Sequence, residues 1–157
     1  KDAIKRLEQT YPDDTDFKKL FADKVVKDSN VARYILRRIN EYITNDEEYQ
    51  TPELPKINLE HIFPKNPDSE WEKSISLADA DSNELTFRIG NMTLLGKEYN
   101  RKSANKPFDK KKTEIYSKST LKINSELTEY TKWTELEINT RQTKLADYAV
   151  KIWKVDF

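Results

Sequence analysis

The sequence predicts an α+β fold that is predominantly α-helical, with a short β-hairpin and a helix embedded among flanking helices. The 157-residue chain is 36% charged and contains only 2 glycines, a composition that favours helices over a β-sandwich. Between residues 57 and 105, two short apolar runs end at Pro64 and Gly96, as expected of short strands. The length suits one domain with its own core, so we expect a single domain over residues 1–157.

A helical scaffold is predicted over residues 1–50. Residues 3–10 read as the end of a helix that Tyr11-Pro12 stops, because proline disfavours helical geometry in the residue before it. Residues 12–16 supply a cap and first-turn acids for a second helix of about ten residues. A third helix is predicted from Ser29-Asn30 to Thr44, and its expected buried stripe consists of Tyr34, Ile35, Ile39, Tyr42 and Ile43.

The hairpin is predicted from a strand over residues 57–63 and a second strand over residues 92–95, entered by a turn at 88–91. An ideal first strand would point Glu60 and His61 to opposite sides. Residues 65–87 read as a polar loop with Trp71 as its anchor. Beyond the hairpin, helices are predicted at 98–104, 108–117 and 135–153, whereas 118–133 has no clear pattern.

Composition excludes several classes of protein. Without cysteine there is neither a disulfide nor a cysteine-ligated zinc site, and the apolar runs are too short for a membrane span. The first residues lack the apolar core of a signal peptide, so we expect a cytoplasmic protein. Because the chain starts without methionine and directly in helical pattern, we also expect it to be a piece of a larger protein.

Net charge is zero, yet residues 97–122 hold nine Lys/Arg against three Asp/Glu. Such a local basic run attracts a phosphate polymer even when the whole protein is neutral. A solvated, lysine-rich helix face is the alternative explanation. The candidate phosphate-binding residues are Lys97, Arg101, Lys102, Lys106, Lys110, Lys111 and Lys112.

His61 is the one histidine in the chain and the first candidate for chemistry. An imidazole can act as a general base near neutral pH if a partner orients it. Glu60 offers a carboxylate and Asn100 an amide oxygen, which suit a hard cation such as Mg²⁺. Asn91 could hold the imidazole through a hydrogen bond. A structural histidine, and asparagines that bond only to the backbone at turns, are the alternatives.

The ordered set Glu60-His61-Ile62-x-Pro64, Gly90-Asn91-x-x-Leu94-Leu95 and Asn100-x-Lys102 resembles the HNH, or His-Me finger, nucleases. More closely, E-H-I-x-P, I-G-N-M-T-L-L and Y-N-R-K-S-A-N-K-P-F-D-x-K, followed by a terminal helix, resemble the nuclease domain at the C-terminal end of GmrSD-type, modification-dependent restriction enzymes. The resemblance covers nearly the whole chain.

The resemblance implies a ββα-metal site over residues 57–105, C-terminal helices over 108–157, and a role for each motif residue. His61 would be the general base, Asn91 would orient it, and Glu60 and Asn100 would be ligands of one divalent ion. That ion is expected to be Mg²⁺, with Mn²⁺ or another divalent ion as alternatives and no structural zinc. Lys102 matches a basic position behind the second ligand.

Two departures from the HNH pattern are visible. The chain lacks the cysteine pairs that bind structural zinc in many HNH proteins, and the interval between His61 and Asn91 is longer than usual. The resemblance implies a DNA endonuclease or nickase in defence against foreign DNA, with an N-terminal NTPase or sensor domain outside this chain. We expect DNA as partner and no association with a membrane, and the oligomeric state is undetermined. A non-catalytic nucleic-acid-binding module and a helical interaction domain are the alternatives.

Overall fold

A computed structural model describes residues 5–6, 10–53, 56–75 and 82–155. Helices α1 (Asp14–Ala22) and α2 (Ser29–Thr44) precede the hairpin. Strand β1 (Ile57–His61) pairs with β2 (Met92–Gly96), and the interval between them contains α3 (Ser69–Ser74), α4 (Ser82–Thr86) and a 3-10 turn, Ile89–Asn91. The predicted α+β, predominantly helical class is confirmed.

The elements after the hairpin are helical. They are α5 (Lys97–Ser103), α6 (Phe108–Glu114), the 3-10 segments Tyr116–Lys118 and Lys122–Glu129, and α7 (Glu135–Ile152). Helix α5 follows β2 directly and packs against both strands. The order strand, strand, helix that the sequence predicts around the site is therefore present.

Side-chain caps set where the scaffold helices begin. The Asp13 carboxylate accepts a hydrogen bond from the Asp16 backbone N–H at α1, and the Asp28 carboxylate accepts from Asn30 and Val31 at α2. Helix α7 begins with a capping box formed by Thr134 and Glu137. These polar residues stand directly before periodic apolar runs, which explains why the sequence predicts these starts well.

The hairpin is antiparallel, with Glu60 opposite Thr93 and His61 opposite Met92. Both of its faces are covered, since Leu95 joins a core cluster with Trp71, Phe108 and Trp133 while Ile57 and Leu94 join a second cluster with residues of α2 and α7. Burial on both faces explains why β2 reads as a continuous apolar run rather than an alternating one.

Several expectations are corrected by the structure. Strand β1 ends at His61 rather than Phe63, because the Phe63 N–H donates to the side-chain oxygen of Asn91 at 2.8 Å instead of to a backbone carbonyl of the second strand. The region 65–87 is not only loop: it carries α3 and α4, and Trp71 is the buried anchor that was expected. The predicted helix over residues 3–10 lies largely outside the described residues, as do residues 76–81 of the expected loop at 65–87.

The predicted stripe on α2 is correct only in part. Ile39 is fully buried, but Tyr34 and Tyr42 keep 56% and 42% of their surface exposed. Ala32 and Leu36 occupy the buried face instead. The unpatterned stretch 118–133 forms a 3-10 segment over Lys122–Glu129, in which Ile123 and Leu127 are buried. Over the described residues, no helix has the length and apolar character to span a membrane.

Helix α7 fixes the turn that leads into β2. Arg141, fully buried, donates to the carbonyls of Gly90 and Met92 at 2.8 and 2.7 Å. Gln142 accepts the Gly90 N–H at 3.0 Å. A side chain at Gly90 would overlap the backbone carbonyl of Ile138 and lie 2.9 Å from Gln142 Cβ, so only glycine allows this close approach.

We therefore expect Gly90→Ala to lower the free energy of unfolding by about 1–3 kcal/mol or more, because the added methyl group must push α7 away from the turn. Urea denaturation measures this directly. Gly96→Ala is the matched control, since the nearest atom to its added methyl, in Tyr99, is 4.0 Å away. An equal loss in both variants would contradict the packing argument.

Candidate active site

Glu60 and His61 face opposite sides of the hairpin, as the alternation of an ideal strand predicts. The carboxylate of Glu60 contacts Ser103 of α5 and Lys111 of α6. The His61 ring instead meets Phe87 edge-on, with ring centroids 5.7 Å apart. The two side chains can serve one reaction only at the end of β1, where the chain turns and the two faces meet.

His61 is half-buried, and its Nε2 atom is buried without a hydrogen-bond partner among the described residues. Burial lowers the pKa of His61 to about 4, and the positive charges of Lys65 and Lys111 act in the same direction. The imidazole is thus neutral at physiological pH. A neutral ring with an unbonded nitrogen can accept a proton or a hydrogen bond from a ligand.

Glu60 is 6% exposed and is held by two donors on one oxygen. Lys111 Nζ lies 2.7 Å and Ser103 Oγ 2.5 Å from Oε1. Burial raises the pKa of Glu60, while the charge of Lys111 and the hydrogen bonds it receives oppose that shift. Both bonds end on Oε1, and the buried Tyr116 hydroxyl is close enough to the carboxylate to lower the pKa of Glu60 as a further donor.

Lys111 is fully buried, although the sequence places it in a run of three lysines. Burial lowers its pKa, and the Glu60 carboxylate opposes this shift. The ammonium also donates to the carbonyls of His61 and Ile62 at 3.1 and 3.0 Å. Its three hydrogens therefore have three acceptors, which favours the charged form of the pair.

A sequence signal for this buried lysine does exist. Phe108, Lys111 and Ile115 recur at helical spacing, and Phe108 and Ile115, which directly follows α6, are buried in the same core cluster. A lysine on an apolar helix face needs a buried partner. That partner, Glu60, is 51 residues away in the chain, so local pattern alone does not identify it.

Asn100 lies on α5, half-buried, and its Oδ1 atom is buried without a hydrogen-bond partner in the described structure. Ser103 stands one helical turn further on, and residues three apart share a helix face. Because Ser103 bonds to Glu60, Asn100 lies on the side of α5 that faces Glu60. The two predicted metal ligands thus belong to one side of the hairpin.

The Asn91 side chain makes hydrogen bonds to the backbone and to a tryptophan. Its Oδ1 accepts from Phe63 N–H at 2.8 Å and from Trp133 Nε1 at 3.0 Å, and its Nδ2 donates to the carbonyls of Phe63 and Thr86. These bonds fix the chain two residues after His61. Any orientation of His61 by Asn91 in this structure acts through the backbone rather than through a bond to the ring.

The candidate phosphate-binding residues differ in accessibility. Lys97, Lys102 and Lys110 are exposed, and Arg101 and Lys106 are accessible but paired with Glu98 and Glu114 at 2.9 Å each. Lys112 donates to the carbonyl of Tyr130 at 3.0 Å. The Lys111 ammonium is enclosed by protein, so it cannot meet a phosphate in this structure and we omit it from the phosphate-binding set.

Trp133 and Phe87 are site residues that the sequence did not single out. Trp133 donates a hydrogen bond to Asn91, and Phe87 packs against His61. The Lys65 ammonium lies 5.3 Å from the centroid of the Phe87 ring. Both aromatics read as ordinary core residues in the sequence. Within the described residues, no group of three or more His, Cys, Asp or Glu side chains could hold a metal ion.

We expect Lys111→Met to lower the free energy of unfolding by about 3–5 kcal/mol, because it leaves the Glu60 charge buried without a partner. The double variant Glu60→Gln/Lys111→Met should recover part of that loss, since a neutral amide costs less to bury. Urea denaturation of the single and double variants gives the coupling energy.

The matched control is Lys106→Met, which breaks an ion pair whose side chains are 39% and 44% exposed. It should cost less than about 1 kcal/mol, as exposed pairs generally do. A Lys111→Met variant as stable as this control would contradict the buried-pair assignment.

Comparison with known proteins identifies the family of this chain. The sequence model of the family described as GmrSD restriction endonucleases, C-terminal domain, matches residues 11–148. That range includes the hairpin, α5, α6 and most of α7, so it covers the scaffold as well as the site. No curated protein sequence matches the chain. Because the family model matches most of the chain, the chain belongs to the family of C-terminal domains of GmrSD restriction endonucleases.

Proposed function

We propose that this domain is an HNH-type, metal-dependent DNA endonuclease or nickase that hydrolyses phosphodiester bonds, acting in defence against foreign DNA. Membership in a family of restriction endonuclease domains supports the nuclease function. One structural observation supports the finer assignment: two predicted site residues, His61 and Asn100, each carry a buried polar atom without a hydrogen-bond partner in the described structure. Buried polar atoms are normally bonded, and exceptions are typical of ligand sites.

His61 is proposed as the general base. Its neutral imidazole would take a proton from water on Nε2 as the water oxygen bonds to phosphorus and one P–O bond breaks. Phe87 and the backbone held by Asn91 restrict the ring to one position. The leaving oxygen takes its proton from solvent, because no acidic group is assigned to it.

Glu60 and Asn100 are proposed to hold the divalent ion, through Oε2 and Oδ1. An unbonded buried amide oxygen beside a carboxylate fits a hard cation, and Mg²⁺ needs only one or two protein oxygens because it retains water and binds substrate phosphate. When bound, the ion would stabilise negative charge on the phosphate and the leaving oxygen. Lys111 and Ser103 keep the carboxylate in place through Oε1.

The exposed basic residues of α5 and α6 are proposed to hold the DNA backbone. Lys97, Lys102 and Lys110 are accessible, and Arg101 and Lys106 can exchange their acidic partners for phosphate. Such contacts position a duplex without reading bases. Specificity for modified DNA is proposed to reside in an N-terminal domain of the same polypeptide.

The direct test is cleavage of plasmid DNA with Mg²⁺ or Mn²⁺. His61→Ala should lower the cleavage rate by about 10²–10⁴-fold, the usual contribution of a general base. Lys19→Gln on α1 is the control and should keep the parent rate. If His61→Ala cuts as fast as the parent, the proposed mechanism is wrong. If the parent binds DNA but does not cut it with any divalent ion, the domain is a non-catalytic binding module.

The metal-ligand assignment has a separate test. Asn100→Ala should raise the Mg²⁺ concentration needed for half-maximal cleavage by about 10-fold or more, in line with losses seen when metal-site partners are removed. Asn100→Asp keeps an oxygen at the same position and should retain metal-dependent cleavage. Identical Mg²⁺ dependence in Asn100→Ala and the parent would remove Asn100 from the ligand set.

A further inference from the structure

A pocket with arginines at its edge lies between α2 and the hairpin, away from the residues assigned above. Its volume is about 390 Å³. Arg33, Arg37 and Arg38 of α2 line one side of it, and Ile57 and Leu94 of the two strands line the other. Three guanidinium groups around one pocket are unusual for a helix face that only needs to be solvated.

Arg33 has bonding capacity that the described structure does not use. Its Nη2 donates to Asn30 Oδ1 at 2.6 Å, but its Nε–H is buried and has no acceptor among the described residues. An unsatisfied buried donor carries a desolvation cost that a bound anion would remove. A guanidinium with a free Nε–H edge is suited to the oxygens of a phosphate.

The charge of the pocket is positive. Glu41 is the acidic residue among its described lining residues, and it lies 2.9 Å from Arg38 and 3.7 Å from Arg37. One carboxylate against three guanidinium groups leaves an excess of two positive charges. Arg37 also donates to the backbone carbonyl of Thr51 at 3.3 Å. Arg33, with its unsatisfied Nε–H, is therefore the group best placed for a ligand, and Arg38 can exchange Glu41 for a phosphate.

The pocket lies at a distance from His61 that one DNA duplex can bridge. Ile57 and His61 are the two ends of β1 and share one face of it by alternation. Four strand residues span roughly 13 Å, at about 3.3 Å per residue. Successive phosphates of one DNA strand are about 3.4 Å apart along the helix axis, so this span corresponds to about four base pairs.

From these observations we propose that the pocket lined by Arg33 and Arg38 binds a backbone phosphate of the DNA substrate, several nucleotides from the scissile bond. The proposal rests on the proposed nuclease function for the identity of the ligand. It adds α2 to a DNA interface otherwise assigned to α5 and α6. It also gives the scaffold helix a role in setting where along the duplex His61 acts.

The test is the salt dependence of binding to a short, unmodified DNA duplex, measured by fluorescence anisotropy in the His61→Ala background. Arg33→Gln/Arg38→Gln should reduce the slope of log K against log salt by about 1, because one phosphate contact is lost, and lower affinity by about tenfold or more near 0.1 M salt. Lys18→Gln/Lys19→Gln removes the same charge from α1 and should leave the slope nearly unchanged.

The outcomes separate this inference from the function on which it rests. If the arginine variant binds DNA as strongly as the His61→Ala protein and with the same salt dependence, the proposed phosphate site is wrong but the proposed function is unaffected. Equal losses in both double variants also overturn it, because they show an effect of total charge. A His61→Ala protein that binds no DNA at low salt overturns the proposed function as well.

A second measurement does not depend on the variant folding correctly. In the His61→Ala protein, the Nε–H resonance of Arg33 should shift on addition of the duplex, while the arginines outside the interface keep their positions. Inorganic phosphate alone provides the comparison ligand. A shift with phosphate but none with the duplex would show an anion site that DNA does not occupy, and would contradict the proposal.

Discussion

The arrangement of the site depends on one buried ammonium group. Lys111 joins α6 to the end of β1 through the Glu60 carboxylate and the carbonyls of His61 and Ile62. A charge fully enclosed by protein is tolerated only with complete bonding, so the position of this group leaves little freedom to the backbone that carries His61. The same ammonium keeps the Glu60 carboxylate turned toward α5, where Ser103 binds it.

That constraint divides the site between two faces of one hairpin. One side of the hairpin carries the side-chain oxygens of Glu60, Ser103 and Asn100, while on the other side His61 packs against Phe87. The strand ends at His61, and Asn91 holds the turn that follows through Phe63. In the proposed mechanism the base and the metal-binding carboxylate are neighbours in sequence, and the end of the strand is where groups from both faces would reach one phosphate. Arg141 and Gln142 of α7 hold the turn at Gly90, which leads into β2 and carries Asn91.

Much of the fold follows from local sequence signals. Asp13, Asp28 and Thr134 mark helix starts because each caps the backbone within its own first turn. The strand pair follows from its apolar runs. The order of Glu60, His61, Asn91 and Asn100 predicts the family, which the family model confirms over residues 11–148, whereas the roles of these residues stay predictions.

What the sequence did not predict depends on contacts between distant residues. Lys111 looks like its neighbours Lys110 and Lys112 until Glu60 is known to lie beside it. Tyr34 and Tyr42 fit the helical stripe of α2, yet they are exposed because the hairpin covers a face centred on Leu36 and Ile39. The helices α3 and α4 are too short for periodicity to reveal, since each has fewer than two full turns.

The central claim is that the carboxylate on one face and the histidine at the strand end serve the same phosphodiester. A crystal structure of the His61→Ala protein with a DNA duplex and Mg²⁺ tests it most directly. The account predicts one ion bound by oxygens of Glu60 and Asn100, with a backbone phosphate on that ion and facing position 61. An ion bound elsewhere, or a DNA backbone that passes the hairpin without approaching position 61, would contradict it.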